Sequence, residues 1–135
     1  MALDVGTKRI GVAVADPSGS YALPVGTITR TELRADLERI AEYLEGYAVR
    51  DLVVGEPVTL GGERGIAARH MDEFVAQLRH VFTGAIHRVD ERMTTAQATK
   101  AMIAGGASRK QRRGAVDMMA AALILETFLA RRSRP

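Results

Sequence analysis

The run Ala2-Leu3-Asp4-Val5-Gly6-Thr7-Lys8-Arg9-Ile10-Gly11-Val12-Ala13-Val14-Ala15-Asp16 decides how the chain folds. Ala2–Val5 and Arg9–Asp16 are apolar runs rich in Val, Ile and Ala, joined by Gly6-Thr7-Lys8. They read as two antiparallel strands around a tight turn. Asp4 is the anomaly, an acid inside an apolar strand that this arrangement makes central. A carboxylate there is costly unless something positive or polar compensates it.

Working outward, Asp16-Pro17-Ser18-Gly19 is turn chemistry and Val25–Thr29 makes a third strand, completing a meander. The period then changes. Leu33, Leu37, Ile40 and Leu44 follow helical spacing, and Gly46 ends that helix. Asp51–Gly55 is a short buried strand, and Gly61-Gly62 marks a loop. Ile66, Met71, Phe74, Val75, Leu78 and Phe82 outline a second amphipathic helix, stopped by Gly84, and Ala85–Val89 is a fifth strand. Thr94-Thr95-Ala96-Gln97 resembles a capping box opening a helix that ends at Gly105-Gly106. After a basic stretch over 108–114, read as a loop, a last helix is expected from about Ala115 to Ala130.

The order β-β-β-α-β-α-β-α-α predicts an α/β fold with a five-stranded mixed sheet. Strands four and five lie parallel to strand one through right-handed crossovers, with helices on both faces. The 135 residues fit one domain, with a short basic tail from about residue 131. Hydrophobic residues at 47% and charged residues at 26% are an ordinary globular balance. There is no cysteine, which excludes thiolate metal sites and favours Mg²⁺ or Mn²⁺ on oxygen ligands. No run approaches the roughly 18 apolar residues of a membrane span. The start reads as a strand rather than a signal peptide, so a cytoplasmic protein without membrane partners is expected.

The net charge of +3 hides an asymmetry. Residues 1–108 hold twelve basic and fourteen acidic residues, a net of −2. Residues 109–135 hold seven basic residues against Asp117 and Glu126, a net of +5. A basic end on a near-neutral body suits a polyanion partner, although a solvated tail has the same composition.

Three acidic positions carry the chemistry: Asp4, the pair Asp90-Glu91 closing strand five, and Asp117. Asp117 is the only charge in Ala115–Leu125. Each has an ordinary reading. Asp4 suits a strand end bonded to the turn, Asp117 a helix dipole, and Asp90-Glu91 a pairing with Arg92 or a place before the Thr94 cap. Convergence puts a shared metal site on an equal footing with these readings. In such a sheet the ends of strands one and five and the start of the last helix can meet at one place, and clustered carboxylates repel unless cations are bound. Such a site supports metal-assisted phosphodiester hydrolysis by two ions. The Gly6–Lys8 amides and the side chains of Lys8 and Arg9 are positioned to meet phosphate oxygens.

Asp4-Val5-Gly6-Thr7-Lys8-Arg9-Ile10-Gly11, Val53-Val54-Gly55-Glu56-Pro57, Asp90-Glu91-Arg92-Met93-Thr94-Thr95 and Gly114-Ala115-Val116-Asp117 occur in that order. Together with Ala120-Ala121 and Ile124-Leu125-Glu126 they resemble the motifs of the YqgF/RuvX family from residue 3 to about 128. The resemblance implies a ribonuclease H-like fold related to RuvC and an acidic site of Asp4, Glu91 and Asp117, with Asp90 a neighbour. It also implies the activities discussed for the family, 5′-end maturation of pre-16S rRNA and resolution of four-way DNA junctions. Glu56 stands where the family pattern has Leu, and either joins the metal site or is a solvated loop residue. Arg113 replaces the usual Lys before Gly114 and keeps a cation. With Lys8, Arg9 and Arg92, the cluster Arg109, Lys110, Arg112 and Arg113 is the expected nucleic-acid contact.

Two other readings compete. The Asp4–Thr7 run also resembles the phosphate loop of actin-like and sugar kinases, but the chain is too short for two such domains and lacks a second phosphate motif. A non-catalytic nucleic-acid binder or ribosome-assembly factor would not need all three carboxylates. Cutting a junction symmetrically calls for a homodimer, whereas trimming a structured RNA precursor does not. His70 and His80 read as surface residues, and His87 as solvent-facing. Tyr21 and Phe82 read as core or surface rather than base platforms, since six aromatics are too few for stacking-based binding.

Overall fold

The structure is a computed structural model and describes residues 1–56, 65–90 and 109–132. Five strands, β1 (Ala2–Val5), β2 (Arg9–Ala15), β3 (Ala22–Thr29), β4 (Asp51–Glu56) and β5 (Ala85–Asp90), form one sheet in the order β3-β2-β1-β4-β5. β1 is central, antiparallel to β2 and parallel to β4, which is parallel to β5. The expected mixed sheet is present. The helix expected from Thr94 lies outside the described residues.

The alternation in β1 and β2 explains the layers. Leu3, Ile10, Val12 and Val14 point to one face and pack against α1 (Leu33–Gly46) and α2 (Ile66–Leu78) through Leu37, Ile40, Leu44, Met71, Phe74 and Leu78. Ala2 and Ala13 point to the other face and meet Ala121, Ala122, Ile124 and Leu125 of α3 (Arg109–Arg132). Large aliphatic and aromatic residues therefore build one layer. Small residues on both sheet and helix let α3 sit close on the other.

Two boundaries differ from expectation. α2 ends at Leu78, where the bonding tightens to three-residue spacing, His80 donating to the Gln77 carbonyl and Val81 to that of Leu78; Phe82 reaches the core from beyond the helix. α3 begins at Arg109, not near Ala115, so the basic stretch over 109–113 is helix rather than loop. It also continues through Arg131 and Arg132, where the tail was expected. Among the described residues, no helix is long and apolar enough to cross a membrane.

Candidate active site

Asp4 is the third residue of the central strand and is 7% exposed. It shares the α3-facing side of β1 with Ala2. Across the antiparallel ladder its partner is Gly11. A glycine is required there. A β-carbon on Gly11 would fall 1.8 Å from the carbonyl oxygen of Asp117 and 2.7 Å from the Met118 nitrogen. The backbone of α3 thus rests on β2 at the residue facing Asp4, which brings Asp117 beside it. Asp117 heads the sheet-facing stripe that continues through Ala120, Ala121 and Ile124, all fully buried.

Arg9 lies two residues before Gly11, on the same face, and compensates Asp117. Its Nε donates to Asp117 Oδ2 at 2.6 Å, with the acid side chain 18% exposed and the arginine 39%. Asp117 is the ninth residue of α3, so the helix-dipole reading fails; that effect is confined to the first turn. Lys8 is exposed at the tip of the β1–β2 turn.

Asp4, Arg9 and Asp117 are therefore brought together. Glu91 and Arg92 lie outside the described residues. Glu56 and Asp90 close β4 and β5 as register partners, at the same sheet edge where β1 ends. Arg109, Lys110, Arg112 and Arg113 occupy the first turns of α3, where the first turn holds no acid.

Two clusters were not read from the sequence. The Arg30 side chain donates Nη1 to the Gly6 carbonyl at 2.7 Å and Nε to buried Asp36 at 3.3 Å. Asp36 falls on the Leu33–Leu37–Ile40 stripe, a signal the sequence does carry. At the opposite end of the sheet, His87 is half-buried rather than solvent-facing. Its Nε2 lies 3.0 Å from Asp51 Oδ1, and its ring packs 4.7 Å from Phe128. Arg132 Nη1 donates to Asp51 Oδ2 at 3.1 Å. Those hydrogen bonds, from His87 first and then Arg132, hold the Asp51 carboxyl below the usual carboxylate range against the opposing effect of burial.

A family model described as "RuvX: Holliday junction resolvase" matches residues 1–131. The chain belongs to the RuvX family. This RuvX-family chain is 43% identical over 129 residues to a Roseiflexus sp. (strain RS-1) protein described as "Putative pre-16S rRNA nuclease", covering 96% of the chain and 92% of that relative. It is 40% identical over 129 residues to a Desulforudis audaxviator protein of the same description, with the same coverage. Its fold matches Thermus thermophilus RuvC in complex with a Holliday junction substrate at a TM-score of 0.60 and 16% identity, covering 97% of this chain and 93% of that one. It also matches Fowlpox virus resolvase in complex with Holliday junction DNA at a TM-score of 0.55 and 8% identity, covering 98% and 97%. These likenesses establish the ribonuclease H-like, resolvase-type fold.

Proposed function

We propose that this chain is a metal-dependent endonuclease that hydrolyses nucleic-acid phosphodiesters, acting in 5′-end processing of pre-16S rRNA, in Holliday junction resolution, or in both. The observation that carries the reading is the seating of the Asp117 backbone on Gly11, the ladder partner of Asp4 near the end of the central strand, in a RuvX-family chain. The relatives' descriptions and the resolvase-type fold support the substrate class.

The donor set fits a hard divalent ion. Asp4 and Asp117 offer carboxylate oxygens on one face, and the chain has no thiolate to divert the site to a softer metal. Asp4, Glu91 and Asp117 would hold Mg²⁺ or Mn²⁺, two ions in all, with Asp90 and Glu56 the further candidates. Ions held there would provide an activated water and stabilisation of the leaving oxygen. Arg9 restrains one oxygen of Asp117 and so orients the carboxylate. Lys8, Arg92 and the basic start of α3 bind substrate phosphates.

The test is cleavage of a four-way DNA junction and of a precursor rRNA in Mn²⁺ by wild type, Asp4→Asn and Asp117→Asn. Wild type cuts at least one substrate and both variants lose activity. Failure of wild type on both, or equal cutting by a variant, refutes the reading. Resolution of junctions requires two symmetric cuts, hence a homodimer. Sedimentation with and without a junction separates that role from RNA trimming by a monomer.

A further inference from the structure

We propose that Arg30 and Asp36 are positioning residues for the carboxylate site, acting through the turn between β1 and β2; the inference rests on the nuclease reading above. The turn needs outside support. Its tip, Thr7-Lys8, is closed by the Gly6 N–H donating to the Arg9 carbonyl at 2.9 Å. Two-residue hairpin tips are self-supporting when their residues take positive φ, because those turns match the twist of the strands. No residue from Gly6 to Arg9 has positive φ. An unprimed tip tends to splay the strands it joins.

Arg30 supplies the missing restraint from the end of β3. Its side-chain Nη1 donates to the Gly6 carbonyl at 2.7 Å, and its backbone N–H donates to the Lys8 carbonyl at 2.8 Å. Both sides of the tip are thereby held by one residue. The guanidinium is itself fixed. Asp36, 1% exposed on α1, accepts Arg30 Nε at 3.3 Å and the Thr31 N–H at 3.0 Å. The Phe74 ring lies 5.5 Å beneath it.

The other end of the turn carries Arg9, which grips Asp117. Polar contacts thus run from Asp36, under α1 on one side of the sheet, around the end of the central strand to Asp117 on the other. A carboxylate as buried as Asp36 is retained at a desolvation cost, and its cation is spent on the turn rather than on solvent. Displacing the turn moves Asp4, two residues before Gly6, and Arg9 together.

The test compares wild type, Arg30→Gln, Arg30→Lys and Asp36→Asn at temperatures well below each melting point. It reads Mn²⁺ affinity by calorimetry, kcat and KM for cleavage, and amide exchange at residues 6–9. Arg30→Gln and Asp36→Asn weaken Mn²⁺ binding and lower kcat by about ten- to a hundredfold, as outer-shell changes do. KM holds, and exchange at the turn accelerates. Arg30→Lys keeps the charge beside Asp36 but cannot bridge both partners, and it falls between; it carries the comparison if Arg30→Gln does not fold. Variants that melt earlier yet keep wild-type Mn²⁺ affinity and kcat would show a merely structural pair and overturn the inference. A wild type that neither binds Mn²⁺ nor cuts removes the nuclease reading itself, an outcome visible before any variant is made.

Discussion

The α-carbon of Gly11 carries the backbone of Asp117: a β-carbon there would lie 1.8 Å from the Asp117 carbonyl oxygen. Because Gly11 is also the ladder partner of Asp4, this one close approach fixes where the two acids stand relative to each other. The surrounding small residues, Ala2 and Ala13 on the sheet and Ala121 and Ala122 on the helix, keep the layer thin enough for that approach.

Gly11→Ala forces α3 away from the sheet, because the clash is with helix backbone and not with a movable side-chain end. Overpacking of this kind costs about 1–3 kcal/mol. An ångström of misplacement at a reacting centre costs about a hundredfold in rate. Denaturant midpoints and cleavage rates measure both. A variant with unchanged midpoint and rate would show that α3 is not seated on Gly11.

Arg9→Gln separates orientation from stability. Arg9 is more than a third exposed, so its pairing with Asp117 contributes under about 1 kcal/mol to folding after solvent screening. The carboxylate it restrains is nonetheless a proposed metal ligand, and loss of that restraint lowers kcat by about tenfold or more. Thermal melting and kcat are the measurements. Unchanged kcat refutes the orienting role.

The sheet was legible in the sequence because its two faces use different residues. Leu3, Ile10 and Val12 alternate with Ala2, Gly11 and Ala13, and a slip of one residue would bury the wrong set. The start of α3 is hidden in the sequence because a charged run has the composition of a loop, although Arg, Lys and Gln are strong helix formers. Glycine at 114 costs only about 1 kcal/mol in a helix and does not end it. Asp36 is hidden by apolar periodicity, which carries no signal for a polar residue on the same stripe. His87 was misplaced for a tertiary reason. Phe128 of α3 packs on the His87 ring and Arg132, in the last turn of α3, reaches Asp51 of β4, and alternation along one strand cannot report that.

Asp51 makes the fold acid-sensitive at the end remote from the site. Its folded pKa is lowered, first by the hydrogen bond with His87 and then by Arg132. The stabilisation is present above the unfolded value, about 3.9, and is lost as pH falls through the folded one. Wild type is therefore more stable than Asp51→Asn at pH 5, and the gap closes as the pH drops below about 4. Unfolding free energies of both proteins from pH 5 downward test this. A gap that stays constant with pH would sink the assignment.

The basic start of α3 makes the last prediction. Arg112 and Arg113 precede Asp117 by five and four residues, roughly 6–8 Å along the helix axis at 1.5 Å per residue. That spacing suits their proposed role, contact with phosphates that flank the proposed site of cleavage. Cations at a helix N-terminus oppose the macrodipole, so this placement costs helix stability unless an anion is bound. If both bind phosphate as proposed, replacing them by Ala removes two contacts. Each contact contributes about 0.9 to the slope of log K against log salt for duplex DNA, so the slope becomes shallower by about two and binding weakens at low salt. Titrations of junction DNA across a salt series measure the slope. The same slope in wild type and the double variant would mean that the substrate's phosphates pass elsewhere.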